Sequence, residues 1–201
     1  MPLPCRGTTP YVTRHGLGYT VFEHTERGIL TEAWIYVALN TSVKFTVLKV
    51  RNESGRTRRI SATGYVEWIL GDVRTKSGMH VVTEIDSQSG ALLARNPYSI
   101  EFGNNRAFFN VNDVGRTVSG DRTEFIGRNG TLANPAVMAR SGLSGKVGAA
   151  LDPCGAIQVV FLLEDGEEHE IVFTLGTGHN ADDTVNTAQR FRGSDAAREA
   201  L

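Results

Sequence analysis

Two cysteines in 201 residues, Cys5 and Cys154, are too few for a disulfide framework, and neither belongs to a CxxC pair. The longest apolar run, Val159-Val-Phe-Leu-Leu163, is far too short to span a bilayer. Neither charge dominates. Lys and Arg number 21 against 22 Asp and Glu, for a net charge of −1. That balance gives no basic surface for a nucleic-acid backbone. The five histidines are scattered, with no HxH or HxxxH spacing, so no metal site and no cofactor is expected. The N-terminus, Met-Pro-Leu-Pro-Cys-Arg, lacks a basic segment followed by an apolar one. The chain is therefore expected to be cytoplasmic, with no direct membrane insertion. Internal repeats and low-complexity segments are absent.

What remains is ordinary globular composition, with 40% hydrophobic and 21% charged residues, enough for one buried core. Short stretches alternate with period two, the mark of a strand with one buried face. In residues 29–39, Ile29, Thr31, Ala33, Ile35, Val37 and Leu39 share one side. Glu32, Trp34 and Tyr36 share the other, polar side. In residues 59–70, Ile60, Ala62, Val66, Trp68 and Leu70 oppose Arg59, Ser61, Thr63 and Glu67. Segments 44–50 and 156–163 are apolar on both sides and are expected in sheet centres. Asn52-Glu-Ser-Gly55 and Asp86-Ser-Gln-Ser-Gly90 read as loops, and Asp165-Gly166 reads as a two-residue hairpin turn. With 22 glycines punctuating short strands, the expected fold is all-β: a large antiparallel two-sheet sandwich.

The pattern changes after Gly178. Asn180 suits a helix N-cap, Asp182 and Asp183 fall in the first turn, and Val185, Ala188 and Phe191 recur at helical spacing. A C-terminal helix over about 181–192 is expected, ended by Gly193, and Ala196 to Leu201 starts another helical-looking stretch. Gly176-Thr-Gly178-His-Asn-Ala181 matches G-x-G-x-x-A, but no parallel βαβ unit surrounds it, so it reads as a strand-to-helix turn. Cys154 reads as an inert thiol beside an apolar run, and Cys5, in a Pro-rich terminus, as exposed. His24, beside Glu23 and Glu26, reads as structural. The N-x-Ser/Thr triplets at Asn40, Asn52 and Asn129 are chance matches.

Two long blocks carry the most information: Asp121-Arg-Thr-Glu-Phe-Ile-Gly-Arg-Asn-Gly-Thr131 and Leu143-Ser-Gly-Lys-Val-Gly-Ala-Ala-Leu-Asp-Pro-Cys154. With Arg14-His-Gly-Leu-Gly-Tyr-Thr-Val-Phe-Glu-His24, Tyr65-Val-Glu-Trp68, Val82-Thr-Glu-Ile-Asp86 and Ala94-Arg-Asn-Pro97, they resemble the cyclic β-1,2-glucan synthases. The similarity lies in the region related to cellobiose and chitobiose phosphorylases of glycoside hydrolase family 94. The resemblance spans about residues 10–178 and implies a β-sandwich beside the catalytic barrel. It implies residues 1–178 as sandwich and 179–201 as a linker helix leading toward an (α/α)6 barrel of the same parent chain, with some leading strands upstream. The implied parent is a large bacterial enzyme associated with the inner membrane that acts on β-1,2-glucan. The implied role here is packing on the barrel and shaping its active-site rim, with a homodimer contact as a further expectation. The alternative from another class is a free-standing glycan-binding module, for which Trp34 and Tyr36 would supply an aromatic platform.

Catalysis by this chain alone is not expected. The family's acid lies in a barrel loop with the pattern Asp-Trp-Asn-Asp, which is missing here. The carboxylate pairs Glu167-Glu168 and Asp182-Asp183 read as solvated surface. The segment Gly120–Gly130 is the best candidate for contact with substrate, through Arg122, Glu124, Arg128 and Asn129. Planar guanidinium and amide donors match sugar hydroxyls and phosphate, and glycines permit close backbone approach. The resemblance implies that this loop approaches the acceptor-sugar side, although the phosphorylase Tyr-Arg reads Arg128-Asn129-Gly130 here. The same residues also suit an internal network that pins a long loop, with Arg122 held by Glu124 or Asp121.

Overall fold

The computed structural model describes residues 7–201, so Cys5 lies outside the described residues. Strands β1 (Tyr11–His15), β2 (Tyr19–Glu26), β3 (Ile29–Val37) and β4 (Val43–Asn52) form an antiparallel meander. Strand β5 (Arg58–Glu67) then crosses to a second layer, and a helical turn, α1 (Arg74–Ser77), follows. Strands β6 (Val82–Ile85), β7 (Leu92–Arg95) and β8 (Arg106–Val111) return to the first layer. Next come β9 (Arg116–Asp121), a short helix α2 (Arg122–Ile126), and the long strands β10 (Pro153–Leu163) and β11 (Glu168–Gly178). Helices α3 (Ala181–Arg190) and α4 (Ser194–Glu199) end the chain.

The result is an all-β sandwich. An 8-stranded sheet of order β1-β2-β3-β4-β11-β8-β7-β6 faces a 3-stranded sheet of order β5-β10-β9. Every pairing is antiparallel. Between the sheets, Ala62 and Trp68 meet Phe109, Ile157, Ile171 and Phe173. The opposite face of the large sheet buries Phe45, Val47, Phe108 and Val172 beneath Ala188 of α3 and Ala197 of α4. The segments read as apolar on both sides take central positions: β4 lies mid-sheet, and β10 is the centre of the small sheet. The helix start is as the sequence reads. Asn180 accepts from the Asp183 amide, and the acidic first turn complements the helix dipole. Gly178 must lack a side chain, because a Cβ there would come within 2.7 Å of the Thr184 amide.

Four expectations are corrected. Asp165-Gly166 does form a turn, with Glu167 N bonded to Glu164 O, but it does not close a hairpin. Strands β10 and β11 enter different sheets, each taking a centre position that its two apolar faces demand. Asn52 anchors the crossing, since its Nδ2 donates to Leu163 O and its carbonyl accepts from Gly166 N.

The second correction concerns β3, where the face judged polar is the better covered. Tyr36 is 5% exposed, stacks on Phe45, and donates its hydroxyl to Ala197 O at 2.5 Å. Trp34 stacks on Tyr19 beside it. The face judged buried ends with Val37 57% exposed, and Leu39 beyond the strand is 94% exposed. Helix α4 claims one side of β3, while the small sheet stops short of the other. Third, helix is not confined to the C-terminus, because α1 and α2 interrupt the strands. Fourth, α3 ends at Arg190 with Phe191 as its cap, and Gly193 instead precedes α4 as its N-cap.

Candidate functional site

Strand β9 runs into α2 without a loop between them. Asp121 caps the helix by accepting from Thr123 N at 2.9 Å, and its other oxygen receives Lys146 Nζ. A helix turns about 100° per residue, so Arg122 and Glu124 leave α2 on nearly opposite sides. For that reason Arg122 is held neither by Glu124 nor by Asp121. Its Nε donates to Glu67 Oε1 at 2.9 Å, and a terminal nitrogen reaches Asp152 at 3.3 Å. Arg74 of α1 closes a ring by donating to Glu67 Oε2 at 2.6 Å and to Asp152. Two guanidinium groups and two carboxylates thus tie β5, α1, α2 and the start of β10 together. Tyr65 adds its hydroxyl to Glu67 at 2.8 Å and stacks on Phe125.

Glu124 sits on the other side of α2, its side chain only 8% exposed. Ser119 Oγ donates to it at 2.5 Å, Ser144 donates through N (3.0 Å) and Oγ (2.8 Å), and Arg140 through a terminal nitrogen at 3.2 Å. Burial alone would raise its pKa. The donors from Ser119 and Ser144 outweigh burial and hold the carboxyl below its usual range. Glu67 behaves alike: burial raises it, and the Arg122 and Tyr65 hydrogen bonds bring it lower. A glycosidic general acid needs a raised pKa, so neither carboxylate is poised for that task. Burial drives Cys154, fully enclosed, up to about 12, which leaves no thiolate for chemistry.

Past α2 the character changes. Arg128 and Asn129 are exposed on a tight loop between Gly127 and Gly130. Gly127 adopts φ +95°, and a Cβ on Gly130 would lie 2.0 Å from Ile126 O. Those glycines draw the loop back onto α2 and push the two polar side chains outward. The structure therefore separates the four candidates: Arg122 and Glu124 are spent on internal pairs, while Arg128 and Asn129 face solvent. Glu67, Arg74, Asp152, Ser119 and Ser144 were not foreseen as partners. The signal lay in the resembling blocks, since the short Tyr65–Trp68 and the long Asp121–Thr131 and Leu143–Cys154 converge on this one region. Val82–Asp86 joins them through Thr83, whose Oγ1 accepts from Gly148 N at 3.1 Å.

His24 stacks on Tyr11 with ring centroids 3.8 Å apart and bonds Thr9, a packing role. Among the described residues, no group of three or more His, Cys, Asp or Glu is placed to hold a metal, and no helix is long and apolar enough to cross a membrane.

Residues 1–194 match the model of the glycosyl hydrolase 94 supersandwich domain. The chain belongs to that family. It is similar to the cyclic beta-(1,2)-glucan synthase NdvB of Rhizobium meliloti (strain 1021), with 34% identity over 97% of this chain and 7% of the synthase. It is 25% identical to the N,N'-diacetylchitobiose phosphorylase of Vibrio furnissii over 84% of this chain and 22% of that enzyme. Among solved structures, a bacterial glucoamylase complexed with acarbose shares the fold. Its TM-score is 0.54 at 11% identity, covering 94% of this chain and 27% of the glucoamylase. The supersandwich thus spans a small part, 7 to 22%, of these curated relatives and is one domain of a larger chain in them.

Proposed function

We propose that this supersandwich is the non-catalytic partner of an (α/α)6 catalytic barrel in a larger enzyme that acts on β-1,2-glucan. In that arrangement it packs on the barrel, and the loop after α2 lends Arg128 and Asn129 to the rim of the glucan site. The parent is a glycosyltransferase and glycoside phosphorylase associated with the bacterial inner membrane, and residues 179–201 lead toward its barrel. One observation supports the rim role above others: on a segment otherwise locked by internal ion pairs, Arg128 and Asn129 stay exposed. Guanidinium and amide donors held outward by a rigid turn suit sugar hydroxyls or phosphate.

The test is Arg128→Ala in the intact parent. Loss of a charge-assisted hydrogen bond predicts about a 10-fold rise in KM for glucan phosphorolysis, with kcat less affected. The isolated chain should melt as before. Unchanged kinetics would remove the rim role. The free-standing glycan-binding alternative loses its platform, because Tyr36 is buried against α4 and Trp34 packs beside it.

A further inference from the structure

We infer that the outer face of the large sheet, beside α4, carries a second glycan subsite that takes a short neutral oligosaccharide. The strand register builds it. Residues directly opposite one another on paired strands share a face. Glu23, Glu32, Lys49 and Glu170 therefore form one row across β2, β3, β4 and β11. Thr25, Leu30, Arg51 and Glu168 form the next row, nearer the β2–β3 turn. In the other direction come Trp34, Val47 and Val172, which pack with Ala197 of α4.

Helix α4 covers the apolar rows and leaves the two polar rows as a ledge, with the helix as its wall. A cleft of about 370 Å³ runs along the ledge between Glu23, Leu30, Glu32, Lys49, Arg51 and Glu168. Lys49 also borders a smaller hollow of about 120 Å³, which it shares with Glu170 and Arg198.

The carboxylates are oriented by groups that lie outside the larger cleft. Arg14 donates to Glu23, the Trp34 indole N–H donates to Glu32, and Arg198 pairs with Glu170 at 3.6 Å. One donor leaves most of a carboxylate's roughly four acceptor sites unused. Lys49, half-buried, stands between Glu32 and Glu170 and brings three donors. The ledge is thus a fixed set of donors and acceptors. It is not an aromatic platform, since Tyr36 is buried and Trp34 serves through its N–H.

Charge selects the kind of ligand. The carboxylates of Glu23, Glu32, Glu168 and Glu170 are balanced by Arg14, Lys49, Arg51 and Arg198. No net charge draws an anion or a cation. Donors and acceptors interspersed at a strand spacing of about 4.8 Å suit a neutral, hydroxyl-rich chain, and Leu30 adds apolar surface for a ring face. The ledge is also remote from Arg128. Asn52 Nδ2 reaches Leu163 O, so the C-terminal ends of β4 and β10 meet near the ledge. Arg128 instead follows the end of β9 that pairs with the start of β10.

Only the choice of glucan as the probe rests on the function proposed above. The test is an NMR titration of this chain with short β-1,2-linked glucose oligosaccharides. Saturable shifts are expected at the Trp34 indole N–H, which reports on Glu32, and at the Lys49 and Arg51 amides. Lys49→Met keeps the aliphatic stem and should weaken binding about 10-fold, the loss of one charged hydrogen bond. Glu32→Gln, which still offers the indole an acceptor, should weaken it as well. Binding unchanged in both variants overturns the inference. Shifts confined to Arg128 and Asn129 also overturn it and leave the rim role standing, because the rim is tested by turnover of the parent. Shifts at the ledge with inorganic phosphate and none with oligosaccharide overturn it too, since Lys49 and Arg51 would then form an anion site. So does slower reductive methylation of Lys49 in the intact parent than in this chain, because another segment would then occupy the ledge.

Discussion

Replacing Glu124 with alanine should destabilise the domain more than replacing any other of the four polar candidates. Its carboxylate gathers four donors from three residues. Those donors do not all suffer equally from its loss. Ser144 is exposed and Arg140 half-exposed, so water replaces the lost acceptor for both. Ser119 is fully buried, and its Oγ would keep the Asp121 amide as a donor while its O–H lost its acceptor. A buried donor left without its acceptor costs about 1–3 kcal/mol, and the exposed contacts add about 1 kcal/mol together. The expected loss is therefore about 2–4 kcal/mol, or roughly 4–16 °C in Tm for a domain of this size.

The sign with pH is fixed as well. The folded pKa lies below the ordinary 4.5, so the contribution is complete above that value and fades as pH falls through the folded pKa. Urea titrations at pH 7 and at about pH 3 should give a wild-type advantage over Glu124→Ala that shrinks at the lower pH. A variant melting within about 1 °C of wild type at pH 7 would mean that the Ser119–Glu124–Ser144 contacts carry no net stability, contrary to the expected loss.

The ring on the other side of α2 is about one-third exposed, so Arg122→Ala should cost less, about 1–2 kcal/mol after solvent screening. A double-mutant cycle with Glu67→Gln should return a coupling of at least about 0.5 kcal/mol, and additive losses would dissolve the ring as an energetic unit. Tyr36→Phe keeps the stacking on Phe45 and removes only the bond to Ala197 O. It should cost about 0.5–1.5 kcal/mol and speed amide exchange in α4 ahead of the sheets, whereas unchanged exchange would detach α4 from β3.

The sandwich was readable because period-two alternation and two-sided apolar runs report burial directly. Strand β5 follows its alternation, and β4 and β10 take the central places their composition demands. Cap chemistry was equally local: Asn180 with Asp183 four positions into the segment starts α3 as read. What failed was everything that depends on which layer covers which face. Trp34 and Tyr36 stand beside Glu32, so local pattern places them outside, but a helix 160 residues away in sequence returns to cover them. The Asp165-Gly166 turn has hairpin chemistry, yet no turn signal states whether the two strands it joins share a sheet.

The candidate site divides along the same line. Exposure of Arg128 and Asn129 follows from two local glycines. The partners of Arg122 come from residues 67, 74 and 152, and charge pairing across such distances leaves no period in the sequence. Three of the six blocks that carry the resemblance contain Glu67, Arg122 and Asp152, whereas Arg74 lies in none of them. Truncating any one member of the ring leaves the others without a partner in a half-buried setting. The clamp around α2 thus fixes the base of the loop that carries Arg128.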